Sequence, residues 1–83
     1  MTHPRERMEL IRERIRDAAR SQTSRMNIDG TQFILDLIDR STESIEREEQ
    51  PREARMIRAA AIDVYVERTS IEAGDKLMDK LGL

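Results

Sequence analysis

The stretch MIRAAAIDVYV, residues 56–66, has no consistently polar face when it is drawn as a helix. A helix that is apolar on all sides must be covered on all sides. The chain has only 83 residues, and a chain of this size buries roughly 60–65% of its unfolded surface. Several short helices, or a second chain, must therefore pack around residues 56–66.

The alternating end of this stretch, IDVYVE at residues 62–67, is also compatible with a short strand. The preceding residues, REARMIRAAA, strongly favour a helix, and no other segment offers a partner strand. The helical interpretation is therefore preferred.

Apolar periodicity and two prolines predict three or four helices in a single domain that spans residues 1–83. Pro4 and Pro51 each suit the first position of a helix. The stretch SQTSRMN, residues 21–27, predicts a loop. The sequence thus predicts an all-α bundle with helices at about residues 4–21, 29–49, 51–68 and 70–81.

The last two predicted helices can be separate or continuous. Thr69 and Glu72 fit a capping box that would begin a separate helix. A seven-residue stripe nevertheless runs through both segments at Ile57, Val64, Ile71 and Met78. We therefore favour one long C-terminal helix, bent near Thr69 or Gly74.

Three further residue patterns predict helix ends. Asp29 fits an N-cap, and Gln32 would complete a capping box with it. Ile28 and Phe33 are spaced as a hydrophobic staple around this cap. At the other end of the chain, Gly82 fits a C-cap that would fold Leu83 back onto Met78.

The stretch around Gly30 resembles a calcium-binding loop but fails as one. Glycine occupies the sixth position of such a loop, so the first ligand would be Arg25 and the twelfth Asp36. An arginine cannot replace the leading carboxylate, and aspartate is shorter than the usual bidentate glutamate. The sequence therefore predicts a helix start here and no bound metal.

The inventory of reactive residues argues against an enzyme. The chain has no cysteine and a single histidine, His3, beside the N-terminus. No serine has a plausible base nearby, and the three glycines are isolated, so a phosphate-binding loop is excluded. We expect a non-enzymatic protein that needs no cofactor.

The charges are distributed unevenly along the chain. Residues 1–25 contain seven arginines and four acids, whereas residues 26–50 contain seven acids and two arginines. A basic segment followed by an acidic one predicts that the two helices lie against each other, or meet across a subunit boundary.

The apolar third helix predicts a homodimer whose shared core completes the bundle. Arg68 and Asp75 occupy partner positions beside the seven-residue stripe, and an antiparallel pairing is favoured because it could place these opposite charges together across the two-fold axis. An alanine-rich core helix within a tight monomer is the alternative. The predicted dimer interface comprises Ile57, Ala60, Ala61, Val64, Arg68, Ile71 and Met78.

We expect a cytoplasmic adaptor or regulatory protein that acts by protein–protein interaction. No apolar run approaches the ~20 residues of a membrane span, so a membrane is not an expected partner. The alternative is a small DNA-associated regulator of the transcriptional, plasmid or phage type. In that case the phosphate contacts would come from Arg5, Arg12, Arg16 and Arg20.

Overall fold

The computed structural model describes residues 4–26 and 29–83, with the backbone alone at residues 4 and 22–26. Within them the chain forms four helices and no strand: α1 (Pro4–Met26), α2 (Gly30–Glu46), α3 (Pro51–Arg68) and α4 (Ile71–Leu81). The predicted all-α fold is confirmed, and the strand alternative at residues 62–67 is wrong. His3 and Ile28 lie outside the described residues, so the staple with Phe33 stays a prediction.

Helix α3 lies at the centre of the fold, because each of the other three helices packs on it. Its alanines are small enough to let the neighbouring helices approach closely. The buried residues of α3 are Ala54, Ala60, Ala61, Ile62 and Val64. One chain therefore covers most of the apolar surface of residues 56–66, without a second copy.

The other helices contribute few buried apolar residues to the core. Helix α1 supplies Ile15 and Ala19, and α2 supplies Ile34 and Ile38. Only three large side chains are fully buried among the described residues: Ile34, Ile38 and Val64. Several apolar residues are therefore only partly covered at the edge of this core, among them Met8, Ile11, Phe33 and Leu37.

The junction between α1 and α2 differs in part from the prediction. Helix α1 continues to Met26 instead of ending near residue 21. No glycine or proline lies between residues 5 and 29, and serine or threonine weakens a helix by less than about 1 kcal/mol. The predicted N-cap is confirmed, since the Asp29 carboxylate accepts a hydrogen bond from the Thr31 N–H at 3.0 Å. The capping box is wrong, because the Gln32 amide donates to Asp36 instead.

Helix α2 ends at Glu46, before the predicted residue 49, in a tight reversal. Two hydrogen bonds close the helix end: the N–H of Glu49 donates to the Ser44 carbonyl at 2.9 Å, and that of Glu48 to the Ile45 carbonyl at 3.2 Å. Glu48 adopts a left-handed φ of 57°. This is the Schellman pattern, here with glutamate where glycine is usual. It directs the chain into Pro51 and the start of α3.

The predicted continuous C-terminal helix is wrong, and the alternative of two helices is correct. Ser70 has extended dihedrals, φ −163° and ψ 164°, and its hydroxyl accepts a hydrogen bond from the Ala73 N–H. The cap is thus Ser70 and not Thr69, whose hydroxyl donates to the Tyr65 carbonyl. The break lets α4 turn back so that Gly74 meets Val66, a contact that a straight helix could not make.

The predicted C-cap of α4 is confirmed. Gly82 has a left-handed φ of 77°, which glycine adopts without strain. The Leu83 N–H donates to the Met78 carbonyl at 2.9 Å. The backbone thus folds back onto Met78 as expected, while the Leu83 side chain remains 57% exposed.

Candidate protein-interaction surface

Two arginines of α1 join this helix to α3 through ion pairs. Arg12 Nε donates to Asp63 Oδ2 at 2.9 Å, while Arg16 binds Glu67 in a bidentate manner, with Nε and Nη2 at 2.9 and 2.6 Å from its oxygens. Glu9 accepts from both arginines. Both cross-helix pairs join residues 51 positions apart, so α1 and α3 run parallel in this region.

These contacts stabilise the charged state of their members. Hydrogen bonds from Arg16 lower the pKa of Glu67, and those from Arg16 and Arg12 lower the pKa of Glu9. The pKa of Arg12 is raised mainly by its hydrogen bond to Asp63, and that of Arg16 mainly by Glu67. The ion pairs therefore favour the charged forms of these four side chains, and we call the four together with Asp63 the α1–α3 ion-pair cluster.

Basic α1 packs against acidic α2 as expected, but its ion pairs are made elsewhere. Among the described residues, the ion pairs of α1 lead to α3 or stay within α1. The reason is register, because residues 12 and 16 are one turn apart and meet acids that are one turn apart on α3. The carboxylates of α2 point to solvent instead, at Asp36, Asp39, Glu43 and Glu46.

The four arginines predicted to contact nucleic acid are all engaged within the chain. Arg12 and Arg16 belong to the ion-pair cluster, Arg20 pairs with Asp17, and Arg5 also has an interaction partner. Phosphate would have to compete with carboxylates already held by these arginines. The DNA-associated regulator stays a prediction that this geometry does not favour.

The residues predicted to form the dimer interface do not share one surface. Three are covered inside the single chain: Ala60, Ala61 and Val64. Two are half-buried: Ile57 and Met78. Two are exposed: Arg68 and Ile71. The prediction assumed one continuous stripe, and the break before α4 divides that stripe, so dimerisation through α3 stays a prediction that this geometry does not favour.

An open groove of about 790 Å³ lies among the first three helices, and we call it the α1 groove. Seven of its ten lining residues are apolar: Leu10, Ile11, Ile15, Ala18, Phe33, Leu37 and Ile57. The remaining three are charged: Arg7, Arg14 and Glu53. A smaller cavity of about 200 Å³ shares Leu37, Glu53 and Ile57 with it and extends it toward the α2–α3 turn.

Leu10 is the most conspicuous residue of this groove because its side chain is 50% exposed. The sequence prediction missed it, since Leu10 lies outside the apolar stripe of α1 and among its charged residues. One signal could have identified it: a large aliphatic residue on a helix face that otherwise carries arginine and glutamate. Single exposed aliphatic residues are common, so Leu10 is informative only together with the apolar residues that line the groove beside it.

The charges of the groove differ from those of the ion-pair cluster. Among the described residues, neither Arg7 nor Arg14 has an ion-pair partner, and nor does Glu53. Both arginines belong to α1, whereas the acid belongs to α3. The groove thus offers an apolar interior and unpaired charges of opposite sign on different helices, which suits an amphipathic protein surface.

None of the described helices is long and apolar enough to cross a bilayer.

Comparisons with known proteins give no relative from which a function could be inferred. No protein-family model matches the chain, and neither a curated protein nor a solved structure is detectably similar to it.

Proposed function

We propose that this protein is a non-enzymatic adaptor or regulator that acts by binding another protein chain through the α1 groove. The observation that carries the proposal is the half-exposed Leu10, placed over an apolar groove whose charged residues have no partner among the described residues. Apolar grooves with charged margins are typical of sites that receive an amphipathic helix.

The shape and chemistry of the groove favour a protein over a small molecule. Small-molecule sites enclose most of their ligand and place several polar groups around it. The α1 groove is open, and its polar groups are limited to Arg7, Arg14 and Glu53. A helix could place apolar side chains between α1 and α2 while its own charges meet those three.

A pair of matched variants tests this proposal. Leu10→Asp introduces a charge into the groove, and Ile71→Asp introduces the same charge at a site that is 74% exposed and does not line the groove. Tagged wild type and both variants are used to isolate partners, and the affinity for each purified partner is then measured. We expect Leu10→Asp to weaken binding at least about a hundredfold, as loss of a central interface residue does.

The control defines what would contradict the proposal. Ile71→Asp should bind like wild type, and both variants should keep the helical circular dichroism of the wild type because their side chains are at least half exposed. Undiminished binding of every partner by folded Leu10→Asp would mean that the groove is not used.

A further inference from the structure

We infer that the occupant of the α1 groove is the same groove of a second copy, in a parallel homodimer whose two-fold axis runs along the groove. This inference rests on the proposed function and identifies its partner. It also places the dimer contact on α1, where the sequence did not predict it.

The apolar core of one chain is small, and this favours a second copy as the occupant of the α1 groove. Among the described residues, four of the nine buried apolar ones are alanines, and Phe33, Leu37 and Ile57 remain half-buried beside the groove. A chain of this length gains much from any additional apolar coverage.

The charges of the groove select the orientation of the two copies. An axis across the groove would place α1 over α1, so that the arginines at positions 7 and 14 of both copies would face one another. An axis along the groove places α1 of one protomer over α2 and α3 of its partner, where arginine meets acid. Only the second arrangement is electrostatically complementary.

The register of the helices identifies which arginine meets the acid. The ion-pair cluster aligns each residue of α1 with the residue 51 positions later on α3, so Glu53 lies level with the beginning of α1. A two-fold axis that runs along the groove keeps each residue of the second copy at the same height along the helix direction as in the first. Arg7 is the groove arginine nearer to that level, and we assign it as the contact of the partner's Glu53.

Sedimentation equilibrium tests the dimer and its location. We expect wild type at micromolar concentration to have twice the mass of one chain. Leu10→Asp should be monomeric and folded, with a dissociation constant raised at least about a hundredfold, whereas Ile71→Asp should remain dimeric. A monomeric wild type would overturn the inference, and so would a dimer that Leu10→Asp leaves intact.

Charge exchange tests the orientation. Arg7→Glu and Glu53→Arg should each raise the dissociation constant about tenfold, because each replaces two attractive contacts by repulsive ones. The double variant should recover the wild-type value to within about twofold, because it restores both contacts with reversed sign. Lys76→Glu, on α4 and beside Glu72, is the control and should change nothing. A double variant weaker than either single variant would overturn the parallel arrangement.

The inference and the proposed function can fail separately. If wild type is monomeric but its isolated partners are lost in Leu10→Asp, the groove binds a different protein, and only the inference is wrong. If the dimer and every partner persist in Leu10→Asp, both are wrong. If Leu10→Asp abolishes the dimer and the chain isolates only its own copies, both are supported.

Discussion

Helices α1 and α4 both cover α3, but they do so by different physical means. α1 is joined to α3 by long charged side chains, with Ile15 and Ala19 buried beneath. α4 approaches α3 through a glycine: a Cβ atom built on Gly74 would lie only 2.4 Å from a methyl carbon of Val66. Charged side chains therefore reinforce an apolar contact at α1, whereas the contact of α4 depends on the absence of a side chain.

The comparison explains why the open surface lies beside α1. Long ion pairs hold one flank of α1 on α3 while the helix leaves the other flank, with Leu10, free to line a groove. The close contact at Gly74 draws α4 onto α3, with Leu77, Met78 and Leu81 packed against the core. Attachment through long side chains therefore leaves a binding surface beside α1, whereas the close contact at Gly74 leaves none beside α4.

The largest expected effect separates the covered wall of the α1 groove from its exposed margin. Ile15 is 6% exposed and Leu10 is 50% exposed, although they lie on the same helix. Ile15→Ala should lower the free energy of unfolding by about 2–4 kcal/mol, whereas Leu10→Ala should lower it by less than about 1 kcal/mol. Urea denaturation at low protein concentration measures both, since dilution removes the stability added by self-association. Equal losses would mean that Leu10 belongs to the core.

A smaller effect is expected at the contact of α4. Alanine at an exposed helical glycine would stabilise the chain by up to about 1 kcal/mol. At Gly74 the new methyl group meets stiff, β-branched Val66, so we expect Gly74→Ala to destabilise the chain by about 1–2 kcal/mol instead.

A double-mutant cycle gives the control for Gly74→Ala. Val66→Ala removes the methyl group that Gly74→Ala would strike, so the double variant should be more stable than the sum of the two single losses predicts. Additive losses, or a gain in stability for Gly74→Ala alone, would show that α4 does not pack closely on α3.

Local signals in the sequence predicted most of the helices but not their mutual arrangement. Asp29, Pro51 and Gly82 each act on the backbone within a few residues, and the predicted helix boundaries at these residues are close to the observed ones. The break before α4 was only the alternative, although Thr69 and Glu72 indicated a cap, because the apolar stripe continued across residues 69 and 70. The break also allows Gly74 to meet Val66, and the periodicity of a sequence cannot reveal such a tertiary contact.

The candidate surface was harder to predict than the helices. Arg7, Arg12, Arg14 and Arg16 all look alike in the sequence, yet two are paired with α3 and two line the groove. The difference depends on where Asp63 and Glu67 lie once α3 has docked parallel to α1. Charge composition therefore predicted that α1 would form ion pairs, but not with which helix.

The smallest expected effect concerns pH and distinguishes the two attachments directly. The folded-state pKa values of Glu9 and Glu67 are depressed by their arginine partners. A depressed pKa contributes stability that is fully present above the usual value of about 4.5 and is lost as pH falls through the folded-state pKa. Glu67→Gln should therefore have a lower urea midpoint than wild type at neutral pH, and the difference should vanish as pH falls through the depressed pKa of Glu67. The deficit of Gly74→Ala, which is steric, should persist at both pH values. A Glu67→Gln deficit that is independent of pH would mean that the carboxylate acts by packing and that charge does not hold α1 on α3.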